Sequence, residues 1–219
     1  MLDVFTKATA TVVGLMAVAV SCATPAPEAP DIAFNALEGR LLDAQVVRFA
    51  FRVTAEGAVS ADIGGILELG TGDAILLEGN GVFAGDSVDL LLKSDGGQVE
   101  FGNGTGRRFA DAPPELREAV LIGLTRMGIL HNLARLMANE LPDHADGGVT
   151  DWVVADSFAV DPGRDAGVSF DLFVAGRPSG SATLEISPAG LPLERHQTVN
   201  FPSGVMRVVE TYSDVTVER

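Results

Sequence analysis

From residue 45 onward, apolar and polar residues alternate. Val47, Phe49, Phe51 and Val53 interleave with Arg48, Ala50, Arg52 and Thr54. A period of two marks a strand with one buried face and one solvated face. The pattern predicts further strands over 60–69, 73–83, 87–93 and 97–102, and one more reaching Phe109. Gly70-Thr71-Gly72-Asp73, Ala84-Gly85-Asp86 and Ser94-Asp95-Gly96-Gly97 separate them. Gly and Asp tolerate the positive φ of tight turns. Links this short make successive strands antiparallel neighbours, so this half reads as a meander. Gly64, Gly65, Gly79 and Gly81 fall inside strand readings and are expected at bulges or sharp bends. A second set of strands is expected over 151–160, 168–175, 181–187, 195–201 and 205–211, with 212–217 as a last edge. Asp161-Pro162-Gly163, Ala175-Gly176-Arg177-Pro178, Pro188-Ala189-Gly190 and Pro202-Ser203-Gly204 supply its turns.

Between the meanders the period becomes helical. Over 113–141, Leu116, Val120, Leu124, Met127, Leu130, Ala134, Met137 and Leu141 share one face. Leu121, Ile122, Ile129, Leu133 and Leu136 cover much of the rest, leaving Arg117, Arg126, Arg135 and Glu140 as a thin polar stripe. Pro113 and Pro114 with Glu115 and Glu118 read as the helix start. Gly123 and Gly128 allow a kink or break, so two helices are expected rather than one. A helix apolar nearly all round must be buried on several sides, or must face something greasy that is absent from the sequence. A shorter helix is expected over 31–44, with Asp31 as N-cap and Phe34, Leu37, Leu41 and Leu42 on one side.

The N-terminus changes the picture from fold to address. Residues 8–20 are small and apolar, too short for a stable membrane span but right for the core of a secretory signal. Ala19-Val20-Ser21-Cys22 resembles a lipobox, with Ala where Leu is usual, and Cys22 is the chain's one cysteine. Ser21-Cys22-Ala23 also fits ordinary signal cleavage. The reading is a lipoprotein-type signal over 1–22, lipidation at Cys22, a Pro-rich tether over 23–31 and one domain over 32–219. That places the protein at the bacterial cell envelope, on the periplasmic side and lipid-anchored; the alternative is a secreted, soluble periplasmic protein. A net charge of −15 argues against nucleic acid as a partner. Lys93 is the single lysine after the signal.

Catalytic chemistry finds little support. His131, His144 and His196 lack the spacing of a metal site, and Asp143, His144, Asp146 and Asp151 lack the pattern of a calcium loop, so no metal or other cofactor is expected. No Gly-x-Ser-x-Gly elbow occurs. Gly102-Asn103-Gly104-Thr105-Gly106 lies between two strands, not before a helix, and reads as a turn rather than a phosphate cradle. The expectation is a protein that is not an enzyme.

The fold class is therefore α+β: a strongly curved antiparallel sheet, an incomplete β-barrel of about 10–11 strands, with an N-terminal helix and a central helical lid. The order of elements, together with Gly190-Leu191-Pro192-Leu193-Glu194-Arg195-His196-Gln197-Thr198, Phe201-Pro202-Ser203-Gly204 and Glu210-Thr211-Tyr212-Ser213-Asp214, resembles the LolA-like half-barrel. Periplasmic lipoprotein carriers and lipid-binding lipoproteins of the LppX and LprG kind share that fold. The resemblance implies a hydrophobic cavity between sheet and lid for lipid or the acyl chains of a lipoprotein. Phe49, Phe51, Leu67, Leu69, Leu90, Leu92, Phe170 and Leu172 would line the sheet side; Leu124, Met127, Leu130 and Met137 would line the lid. It also implies an early-strand arginine that holds the lid, a part open to Arg48 or Arg52. Two readings stand: lipid binding, with lipid or an acylated protein as partner, or a non-catalytic assembly module of the envelope whose helical face docks a protein.

Overall fold

The computed structural model describes residues 29–72, 74–142, 149–163 and 167–219. The signal, Cys22 and most of the tether lie outside the described residues. So do Asp73 and the loop residues Asp143, His144 and Asp146.

The first element is helix α1, Pro30–Leu42. Pro30 opens its first turn, Ala29 is the N-cap, and Asp31 lies inside the helix without capping it. The capping expectation thus fails, because proline has fixed the helical φ one residue earlier. Phe34, Leu37 and Leu41 are buried, as the spacing implies, and Glu38 is buried beside them.

Strands β1 (Val46–Gly57), β2 (Ala61–Leu69), β3 (Ala74–Phe83), β4 (Asp86–Asp95), β5 (Gln98–Asn103) and β6 (Arg108–Asp111) form the first meander. Of the Gly102–Gly106 segment, Gly102 and Asn103 end β5, and Gly104–Gly106 form one tight turn before β6. After the lid and the short helix α4 (Val149–Trp152) come β7 (Val153–Val160), β8 (Gly167–Val174), β9 (Arg177–Ile186), β10 (Pro192–Phe201) and β11 (Gly204–Glu218). Among the described residues, all eleven strands belong to one antiparallel sheet, ordered β6-β5-β4-β3-β2-β1-β11-β10-β9-β8-β7 and not closed into a barrel.

Two strand expectations are corrected. Residues 212–217 are not an edge: they continue β11, which pairs with β1 at the centre of the sheet. A register shift opposite Arg48 and Ala50, with Asp214 at φ 55, breaks the alternation there. Of the bulges or sharp bends expected at the interior glycines, bulges are absent there, since β1–β2 and β2–β3 pair without interruption. They make room. A Cβ on Gly65 would lie 2.5 Å from the Phe51 ring and 1.9 Å from the Glu78 carbonyl oxygen. One on Gly79 would lie 3.4 Å from Leu133 of the lid.

One continuous core joins Phe34 and Leu37 of α1, Phe49 and Val53 of β1, Leu77 of β3, Leu90 and Leu92 of β4, Phe170 of β8 and Leu133 of the lid. Helix α1 touches β7 and β8, while the lid reaches β4 and β5. Both wings of the sheet thus share one set of helices.

Candidate functional site

The lid is two helices, as the glycines suggest, though shorter than 113–141. Helix α2 spans Leu116–Ile122 and helix α3 spans Ile129–Met137, with a wider turn over Gly123–Met127 between them. Pro113 and Pro114 precede the helix; its N-cap is Glu115, in the left-handed region at φ 63. Gly123 does not break the chain; Gly128 does, at φ 85 and ψ 158.

The all-round apolar character of α2 has a structural reason. Leu116, Val120 and Leu121 face the sheet core, while Ala119 and Ile122 pack on the other side against Val149 of α4 and Val153, with Leu42, Met127 and Trp152 around them. The helix is a layer between two apolar surfaces. The cations of the expected polar stripe are tied down as well. Arg117 donates to the carbonyls of Leu42, the last residue of α1, and Ala44, at 3.3 and 2.7 Å. Arg126 grips Glu38 through two nitrogens, at 2.9 and 2.7 Å, and Thr125 Oγ1 donates to the same carboxylate at 2.8 Å. Arg126 also donates to the carbonyls of Thr150 and Val153.

The break itself sits on a buried polar cluster of the sheet. Arg195 on β10 and Glu210 on β11 face each other across paired strands, and both are fully buried. Arg195 Nη1 donates to the Thr125 carbonyl at 2.7 Å, and Nη2 donates to that of Arg126. Glu210 accepts from the backbone N–H groups of Ile129 and Leu130, both at 2.9 Å, and from the Tyr212 hydroxyl at 2.6 Å. The guanidinium thus meets carbonyls before the break, and the carboxylate meets N–H groups at the start of α3. Each charge complements the helix end it touches. Gly128 lies directly over the cluster: a Cβ there would come within 2.6 Å of Glu210 Oε1 and 3.1 Å of Arg195 Nε. Burial pushes the Arg195 guanidinium below its ordinary pKa, against the pull of Glu210 and Tyr212. Burial, with Glu210 beside it, pushes the Tyr212 phenol well above its own. The phenol therefore stays protonated and donates to the carboxylate. Arg195 also lies over the Phe170 ring, 5.4 Å from its centroid.

This corrects the expected holder of the lid. Arg48 and Arg52 are exposed, paired to Glu68 at 2.9 Å and to Asp62 at 2.8 Å, away from the helices. Arg195 holds the lid instead, from a late strand.

Of the residues expected to line a cavity, Phe49, Phe51, Leu67, Leu69, Leu90, Leu92, Leu124 and Phe170 are buried in the core where the helices rest on the sheet. Met137 is half-buried against that core. Met127, Leu130 and Leu172 line an apolar pocket of about 150 Å3 at the side of the break. Val59, Phe83 and Phe201, at the tips of three hairpins, form its outer wall. Gln197, Val199, Met206 and Val208 of β10 and β11 are also in the lining, with His131 and Ala134 from α3.

No family model matches the sequence, and no curated protein matches it. Solved structures similar to the chain include MucB, at 11% identity and a TM-score of 0.39, over 87% of this chain and 59% of that one. The chain thus spans less than two thirds of the length of that structure. A LolA superfamily protein from Nitrosomonas europaea, NE2245, is similar at 9% identity and a TM-score of 0.37, over 88% of this chain and 95% of that one. A domain named for outer membrane lipoprotein sorting, from Vibrio parahaemolyticus, is similar at 8% identity and a TM-score of 0.33, over 86% and 92%. The superfamily that the sequence resembles is thus represented among the structural neighbours.

Proposed function

We propose that the protein binds acyl chains, of a lipid or of an acylated protein, between the sheet and α3. The observation that carries this reading is the apolar pocket beside α3, at the break in the lid. At about 150 Å3 it is smaller than the roughly 300–1,000 Å3 of ligand sites that enclose a drug-sized molecule. The lid is therefore shut, and an acyl chain must displace part of it. Lifting the whole lid exposes Val120, Leu121, Ile122, Ile129, Leu133 and Leu136, all essentially inaccessible. At about 1.5–3 kcal/mol each, that costs about 9–18 kcal/mol unless another apolar group takes their place. A chain entering beside Leu130 supplies that replacement step by step. Helix α2 is fixed by Glu38, Arg126 and α4, so α3 is the part that gives way, pivoting at Gly128 where the backbone has already left the helix.

In this reading the protein works at the cell envelope, with lipidation of Cys22 as its membrane anchor. The test is extraction of the domain, purified from envelope membranes, followed by mass spectrometry, and uptake of a fluorescent fatty acid by the delipidated protein. Stoichiometric copurifying lipid and saturable uptake are expected. A domain that carries no lipid and takes up no probe overturns the proposal. The alternative of docking a protein through the helical face needs an exposed apolar helix surface. Among the described residues, the second face of α2 is covered by α4.

A further inference from the structure

One polar group in the apolar pocket is not used by the fold. Gln197 is 9% exposed and lies on the inner face of β10, two residues after Arg195. Its carboxamide orientation is determined. Arg195 Nε, which can only donate, approaches Gln197 Oε1 at 3.3 Å, so the oxygen faces the guanidinium and the NH2 group faces away from it. Gly128 closes the oxygen's side, since a Cβ there would lie 3.0 Å from it. Nε2 has no hydrogen-bond partner among the described residues. It is not sealed off either: it is not among the buried atoms without a partner, and the residue lines the pocket. An amide donor among apolar side chains is costly unless something accepts from it.

We infer that this pocket takes the carbonyl end of an acyl ester or amide, with Gln197 Nε2 donating to the carbonyl oxygen and the alkyl part lying along Leu130, Leu172 and Val208. The inference rests on the acyl-binding reading above and adds the part of the ligand that is recognised. A neutral carbonyl fits better than a free carboxylate. The donors of Arg195 go to Thr125, Arg126 and Gln197, and its charge is already faced by Glu210. No lysine or arginine is in the lining to offset a second anion, and an uncompensated buried charge is strongly disfavoured. The size agrees. A cavity of about 150 Å3 takes a benzene-sized group, which suffices for an ester group and a short alkyl stretch. The remaining chain leaves between the hairpin tips at Val59, Phe83 and Phe201.

The test compares heptane, methyl hexanoate and hexanoate as ligands of similar length, titrated by ligand-observed NMR. The wild-type protein is set beside Gln197→Glu, which keeps an acceptor for Arg195 Nε and removes the donor, and Gln197→Met, which removes both. The wild type is expected to bind the ester about tenfold more tightly than heptane or hexanoate, the discrimination typical of one met donor. Both variants should lose that preference for the ester over heptane, with Trp152 fluorescence showing that the lid is in place. If one variant fails to fold, the other decides. Equal binding of ester and heptane by the wild type, or an ester preference surviving in a folded variant, overturns the inference and leaves acyl binding standing. Binding of none of the three overturns both.

Discussion

Replacing Glu210 by Gln is the sharpest probe of how the lid is held. The substitution keeps shape and volume, so it leaves no cavity. What changes is the electrostatic partner of a fully buried guanidinium and one of two acceptor oxygens. In the native protein Oε2 serves Ile129 N–H and the Tyr212 hydroxyl, and Oε1 serves Leu130 N–H. With an amide, one of those positions becomes a donor facing a donor. Arg195, 0% exposed, is left without its counter-charge. Leaving a buried charge uncompensated costs about 3–5 kcal/mol. At about 2–4 °C per kcal/mol for a domain of this size, Tm should fall by about 6–20 °C. Thermal unfolding followed by circular dichroism, with Trp152 as the chain's single tryptophan reporter, measures it. The control is Arg52→Gln, which breaks the exposed pair with Asp62 and should cost at most about 1 kcal/mol. Combining Glu210→Gln with Arg195→Met should show coupling of more than about 1 kcal/mol between the two sites. A Glu210→Gln protein no less stable than Arg52→Gln, or strict additivity in the double variant, would refute the idea that this pair fastens the lid.

Other outcomes follow from the same geometry. Tyr212 is the only tyrosine, so tyrosinate absorbance reports it alone. Its raised pKa means that above pH 10 the folded state holds a proton the unfolded chain gives up, so stability falls as pH rises. In a spectrophotometric titration the phenolate signal should appear only with unfolding; a reversible native titration near 10 would contradict the burial argument. Gly39 lies mid-helix in α1 at an ordinary helical φ, and a Cβ added there would meet nothing within 4 Å, so Gly39→Ala should stabilise by about 0.5–1 kcal/mol in denaturant melts. Gly128→Ala meets both a left-handed backbone and the Glu210 carboxylate, and should destabilise by about 1–3 kcal/mol or more.

The strands and turns are legible in the sequence because each hairpin carries its own local signal. The alternation of Val47 to Val53 appears as the buried and exposed faces of β1, and Gly128 breaks the lid within the expected window. The cluster beneath the break escapes notice for a physical reason. Around Arg195 the chain reads Glu194-Arg195-His196-Gln197-Thr198, polar on both faces, so alternation says nothing about which side is buried. Glu210 left a trace: it shares the inward register of Met206 and Val208. A carboxylate in an apolar register implies a buried partner, but which cation reaches it is set by the pairing of β10 with β11, a tertiary fact. The cover that α4 provides for α2 was hidden for the same reason, since residues 149–152 resemble the strand that follows them.

The pairing of β1 with β11 at the middle of the sheet has a consequence for how the protein is made. Every other strand pair joins neighbours in sequence, so each meander is able to assemble by local closures. The central pair joins residues at opposite ends of the domain, Val46 with Glu218 among them. Such long-range closure is slow compared with hairpin formation. During synthesis the first meander emerges complete while its β1 edge waits unpaired, an aggregation-prone interval. The strand that ends the wait also carries Glu210 and Tyr212. Joining the two halves of the sheet and fastening the lid are therefore one event in folding.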